Sequence, residues 1–476
     1  MTIHWLDYAI IILYFFVVVY IGYWAMKKVT NFDDYAVAGR GLPMSIFFAA
    51  IAATLCGGGA TIGRVSFMHT TGIVVFAGLI GVVINQIFSG LYIAGRVHNI
   101  KNVYSVGDLF GLYYGRAGRL VSSIVCFFFC LGLYGVQILA MGAILQTAVG
   151  IDLIPAALIS SVITLAYTWS GGILAVTLTD AVQYVIIVIG VTLCAYLAID
   201  HLGGFDAMMS ILYSNPRFET NMKPLANWSL VQFLGLFFSF LLGEFCAPYY
   251  IQRYASTKSA KDSKNGLLIF GVHWIFFMAT TAAIGLASMA IQPDVKPDLA
   301  FTNLIRDILP PGITGLVFGA LLAAVMSTGA AMINTSAVIY TRDIYNKFIN
   351  TAATQADLLR QSRLSTLVVG GISIGVAIIF QDVFGLMIYM FKLWPSAILP
   401  PLMCGLLWGK ISPYAGAPAV IAGGLSFFLW SDKVLGEPFG IPANFIGIGM
   451  NCLVLFFVHQ KMKGHKPEGP FLPDLN

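Results

Sequence analysis

The chain has 476 residues, 58% of them hydrophobic and 10% charged, with a formal net charge of +5 and a mean hydropathy of +0.85. A water-soluble protein carries about 25% charged residues, so this composition cannot cover a soluble surface and lipid must be the main solvent. The seven cysteines all fall in apolar stretches, without disulfide mates or metal-ligand spacing, and read as small apolar packing residues.

A hydrocarbon core of roughly 30 Å needs roughly 20 apolar residues in a helix. Thirteen candidate spans follow along the chain, at about 5–26, 42–71, 73–94, 120–149, 154–168, 175–199, 229–250, 267–291, 313–340, 365–380, 383–408, 414–430 and 444–459. The first lacks a basic leader and a cleavage site, so it reads as a retained span. Thirteen spans put the termini on opposite sides. With the carboxyl terminus inside, nineteen Lys and Arg fall in cytoplasmic loops and five outside, which sets the amino terminus outside. No soluble domain interrupts the pattern, and 1–476 reads as one membrane domain in a cell membrane. The segment 200–228 is long enough for a surface helix.

The second span is interrupted by Thr54-Leu55-Cys56-Gly57-Gly58-Gly59-Ala60. Each glycine costs a helix about 1 kcal/mol relative to alanine, and three in a row predict unwound backbone lining a cavity. Freed carbonyls there can coordinate a cation; close helix packing is the alternative. The seventh span holds Gly243-Glu244-Phe245-Cys246-Ala247-Pro248, five spans after the glycine break. Paired interruptions of this kind mark the two halves of an inverted-repeat transporter. The ninth span places Ser327 and Thr328 side by side, one turn after Ala324. Two hydroxyls and a carbonyl suit an alkali cation, although such hydroxyls also bond their own i−4 carbonyls.

Four ionisable residues lie inside spans: Arg64, Asp180, Glu244 and Lys392. Each costs about 2.5–3.5 kcal/mol at a helix centre, so each must face protein or water. Asp180 reads as lying near the cytoplasmic edge, and Glu244 and Lys392 as deep, either paired with each other or serving a solute. Arg64 and Lys392 together favour a solute carrying a carboxylate, an organic acid or an amino acid, with a sugar or polyol and an amine as the alternatives. No Walker loop or catalytic cluster accompanies them. The chain therefore reads as neither an enzyme nor an ATP-driven pump, with no cofactor, nucleic acid or obligatory protein partner.

Four stretches in order carry a family resemblance. They are Phe32-Asp33-Asp34-Tyr35-Ala36-Val37-Ala38-Gly39-Arg40-Gly41-Leu42-Pro43, Thr168-Trp169-Ser170-Gly171-Gly172 with Thr179-Asp180-Ala181-Val182-Gln183, Ile251-Gln252-Arg253, and Ala324-Val325-Met326-Ser327-Thr328 with Tyr340-Thr341-Arg342-Asp343. Together they resemble the solute:sodium symporter family over nearly the whole chain. The resemblance implies an all-α LeuT-type inverted-repeat bundle of about thirteen transmembrane helices. Its repeats would span about 42–199 and 229–408, with peripheral helices at 5–26, 414–430 and 444–459. It implies a sodium site from the carbonyls of Ala53, Cys56 and Ala324 with the hydroxyls of Ser327 and Thr328, and Asp180 as a second-ion candidate. Solute-binding candidates are Leu55, Gly57, Gly58, Glu244, Ala247 and Lys392. The glycine motif looks nearest the choline branch, whose two tryptophans are replaced here by Leu55 and Ala247, so that branch's aromatic cage is missing. The expected function is sodium-coupled import of a small organic solute by alternating access. Proton coupling through Glu244 or Asp180, or a sensor or channel of the same fold, are the alternatives.

Overall fold

The computed structural model describes residues 3–462 apart from 224, 226, 227 and 381, and leaves the side chains at 77, 78, 160, 170 and 380 undescribed. Among the described residues the chain is helical, with a single isolated bridge pairing Leu42 and Thr257. The main helices are α1 (Trp5–Met26), α2 (Met44–Leu55), α3 (Arg64–Thr71), α4 (Val75–Phe88), α5 (Val106–Val149) and α6 (Leu153–His201). They continue as α7 (Leu230–Leu242), α8 (Pro248–Ser256), α9 (Ala260–Ile291), α10 (Ile313–Ile339) and α11 (Gln355–Phe380). The last four are α12 (Val383–Ala397), α13 (Leu399–Met403), α14 (Gly416–Trp430) and α15 (Ala443–Lys461).

Burial sorts these helices. In α10 every side chain from Val317 to Ile339 is buried, as a helix at the centre of a bundle requires. It packs on α6, α5, α1, α11 and α2. By contrast α1 turns Ile12, Leu13, Phe16 and Tyr20 outward, and α15 turns out Leu453, Phe456 and Phe457, the apolar outer face that lipid solvates. Nine helical segments among the described residues are long and apolar enough to cross a membrane, or up to eleven if each bent pair is one span. The two further expected spans correspond to the shorter apolar helices Leu153–Trp169 and Leu230–Leu242, so the figure of thirteen rests on these.

Both anticipated interruptions are present. The first separates α2 from Gly59–Val74 with a bend of 58°. At the second, α7 stops at Leu242, residues 243–247 leave the helix with Cys246 at φ 54°, and α8 restarts on Pro248. A third break, 53° between Val383–Ala397 and Leu399–Trp408, was not anticipated. Its cause is in the sequence, since Pro395, Pro400 and Pro401 remove three amide donors from one short stretch. The fifth and sixth expected spans are joined without a loop at Gly172, whose φ of 55° kinks α6 where its Cα faces the Tyr35 carbonyl. Phe205–Ser214 supplies the surface helix expected in 200–228.

Candidate functional site

The glycine break brings α2 against α10. Ser327 Oγ lies 2.9 Å from the Ala53 carbonyl and 2.9 Å from that of Ala324. Thr328 Oγ1 lies 2.5 Å from the Thr54 carbonyl and 3.1 Å from that of Ala324. Five oxygens thus converge between the last turn of α2 and the middle of α10. Four of the five expected sodium ligands meet here, Ala53, Ala324, Ser327 and Thr328. The fifth expected ligand is the carbonyl of Cys56, the residue that caps α2 through its N–H to Ala52, and the Thr54 carbonyl beside Thr328 is a further oxygen at the same place. Cys56 is the C-cap of α2, where the unwound segment begins.

The glycines let two helices approach this closely. The Gly58 N–H donates to Gln137 Oε1 at 2.7 Å, and the Thr61 hydroxyl donates to the Gly57 carbonyl. A Cβ on Gly57 would sit 2.2 Å from Thr328 Oγ1, and one on Gly58 would sit 2.4 Å from Ala140 Cβ. Both distances are far inside van der Waals contact, so backbone must shift. Gly58→Ala is therefore expected to lose about 1–3 kcal/mol of stability by overpacking, seen as a lower melting temperature in detergent, together with impaired uptake. Unchanged melting and uptake would show that the α2–α5 contact is looser than its geometry.

A central cavity of about 40 Å³ opens beside the break, lined among others by Leu55, Gly57, Arg64, Gln137, Glu244 and Trp274. Arg64 is 4% exposed; its Nη1 donates to Thr281 Oγ1 at 3.0 Å and its guanidinium lies 5.0 Å from the Trp274 ring centre. Among the described residues Arg64 forms no ion pair. The Trp274 indole N–H is buried without an acceptor. Glu244 accepts the Tyr249 hydroxyl at 2.7 Å.

The other candidates are placed elsewhere. Lys392 does not meet Glu244: its Nζ pairs with Glu437 at 2.6 Å, in a separate vestibule of about 390 Å³ that also contains Trp228, Asp382 and Lys433. The loop after α14 folds back over α12 and supplies that carboxylate, a contact with no local sequence signal. Ala247 is buried at the start of α8, and Gly58 is occupied by Gln137, so neither lines the cavity. Asp180 is not at a loop edge. It is fully buried and paired at 2.9 Å with Arg253, equally buried because α8 continues to Ser256. Phe67, which lines the vestibule, stacks on Phe384, which lines both spaces, with ring centres 4.2 Å apart.

Gln137 and Trp274 escaped the sequence reading. Gln137 had a usable signal, as the one amide between residues 123 and 145 of an apolar span; Trp274 had none, being one aromatic among many.

The sodium:solute symporter family profile matches residues 35–423. The chain belongs to the sodium:solute symporter family. It is 25% identical over 447 residues to the osmoregulated proline transporter of Bacillus subtilis (strain 168), covering 90% of this chain and 89% of that one. The sodium/proline symporter of Escherichia coli (strain K12) is 26% identical over 437 residues, covering 88% and 86%. A solved Na+-coupled sialic acid symporter in a substrate-bound outward-open state superposes with a TM-score of 0.82 over 96% of this chain and 98% of that one, at 19% identity, which establishes the LeuT-type fold. The chain is a multi-pass membrane symporter driven by sodium, and not an enzyme.

Proposed function

We propose that this symporter imports a small zwitterion, an amino or imino acid, with sodium held by the carbonyls of Ala53, Thr54 and Ala324 and the hydroxyls of Ser327 and Thr328. The observation that carries the solute class is Arg64, a buried cation without a carboxylate partner, in the same small cavity as Glu244. A buried charge left unpaired is strongly unfavourable. A solute carboxylate would pair with Arg64 and accept from the free Trp274 N–H, while the solute ammonium would face Glu244. The proline named for the relatives carries both charges. Lys392 has no part in this, since Glu437 already neutralises it.

The cavity holds about one water's worth of space, so the solute enters only when Phe67, Phe384 and Met387 move aside. In this reading the vestibule faces outward, with the amino terminus outside and the carboxyl terminus cytoplasmic. The halves 42–199 and 229–408 rock about the fixed site. Asp180 serves as the partner of Arg253 and not as a ligand of a second sodium, because the charge a second ion would neutralise is already met.

Competition against labelled solute in sodium-energised proteoliposomes tests the class. Proline and other zwitterions should inhibit uptake, whereas pyrrolidine, lacking the carboxylate, and neutral sugars should not. Inhibition by sugars alone would remove the assignment.

A further inference from the structure

We infer that Thr54 is a positioning residue that carries sodium occupancy from the ion site to the buried Asp180–Arg253 pair. This rests on sodium occupying the five-oxygen site. Among the described residues, Thr54 is hydrogen-bonded to both features. Its carbonyl lies against the Thr328 hydroxyl, inside the site. Its own hydroxyl accepts from Arg253 Nη2 at 2.6 Å and lies 3.4 Å from Asp180 Oδ2, while the same Nη2 reaches that carboxylate oxygen at 2.9 Å. One threonine thereby ties α2 to α10 through its backbone, and to α6 and α8 through its side chain. All four groups are buried, so no water substitutes for a contact that is lost.

The geometry gives a direction. The Ser327 and Thr328 hydroxyls donate to the carbonyls of Ala53, Thr54 and Ala324. A cation needs the hydroxyl lone pairs and those same carbonyls, so binding replaces single protons by one ion held from both helices. Thr54 is then fixed to α10, and its hydroxyl holds Arg253 on Asp180. Without the ion Thr54 is left on the single Thr328 hydrogen bond, a weaker anchor for the α2–α6–α8 joint. From the joint, α8 leads to the bridge between Leu42 and Thr257. Unsatisfied polar atoms sit around it: Asp180 Oδ1, Gln183 Oε1 and the Nε and Nη1 of Arg253. Such a pair is poised to part once its remaining support goes.

Amide exchange on the full-length protein in nanodiscs tests this, comparing sodium with potassium for peptides covering 320–335 and 248–258. In the wild type sodium should protect both. Thr54→Val keeps the shape and the ligating carbonyl. It should leave the 320–335 response intact and weaken the sodium-dependent protection of 248–258 by about tenfold, the scale of a lost hydrogen bond to a charged group. Thr54→Ser should restore it, which a purely steric role would not predict. Should Thr54→Val fail to fold, Asp180→Asn must give the same split between the two peptides. Wild-type protection of 248–258 in either Thr54→Val or Asp180→Asn overturns the inference. Sodium protection of neither peptide in the wild type removes the ion site itself, and with it this role for Thr54.

Discussion

Replacing Ser327 and Thr328 together by alanine is expected to abolish sodium stimulation of uptake. Each hydroxyl supplies one of five oxygens around the point where α2 meets α10, and a buried ion cannot recover a missing ligand from water. Taking about 1.5–3 kcal/mol per contact to a charged group, the double variant should need about a hundredfold or more additional sodium for half-maximal uptake. The competing role is structural: the hydroxyls bond carbonyls and merely tie two helices together. That role predicts a lower melting temperature in potassium and sodium alike, with unchanged sodium affinity. The ion-site role predicts the reverse pattern, in which sodium raises the melting temperature of the wild type and not of the double variant. Sodium activation within twofold of wild type would rule out the site.

Arg64→Met is expected to weaken a zwitterionic solute by about a hundredfold, on the scale of a truncated buried charge contact, and to leave a carboxylate-free analogue nearly unaffected. Among the described residues the side chain bonds Thr281, lies against the Trp274 ring and forms no direct ion pair, with Glu244 as the opposite charge across the same cavity. Its charge is held without a direct ion pair, so the methionine variant gives up no salt bridge in the protein itself. The unloaded variant should melt no lower than wild type, a sign opposite to that of an ordinary core disruption. Glu244→Gln should act on the ammonium end, weakening zwitterions while tolerating N-acylated acids. Equal loss of charged and uncharged solutes in Arg64→Met, with a lower melting temperature, would make the arginine a structural residue.

Much of this was legible in the sequence, for reasons that differ by feature. The spans follow from hydropathy because lipid forces backbone bonds to close within each segment. The two functional breaks follow from Gly57-Gly58-Gly59 and from Gly243 with Pro248, since these residues alter the backbone locally. Ser327 and Thr328 were readable because adjacency on one helix is a local property. Pairings across helices were not. Nothing near Lys392 announces Glu437, 45 residues away, and nothing near Asp180 announces Arg253, 73 residues away. Placing Arg253 in a loop hid that pair, because a charged residue at a span edge reads as solvated until the helix is seen to continue. The Thr54 carbonyl beside Thr328 was missed for the same reason: counting from a motif fixes a region, while the pitch of one helix against another selects which carbonyl meets the hydroxyl.

Sodium at the hydroxyl pair and a zwitterion between Arg64 and Glu244 would form one coupled unit, joined through the unwound segment at residues 56–58. Linkage requires the coupling to be reciprocal. The most direct measurement is a pair of titrations on the purified full-length protein: proline affinity with and without sodium, and sodium affinity with and without proline. The account predicts that sodium tightens proline by at least about tenfold, that proline tightens sodium by the same factor, and that both factors fall to one in the Ser327→Ala, Thr328→Ala double variant. Proline affinity independent of sodium in the wild type, or a coupling factor that survives the double variant, would contradict it.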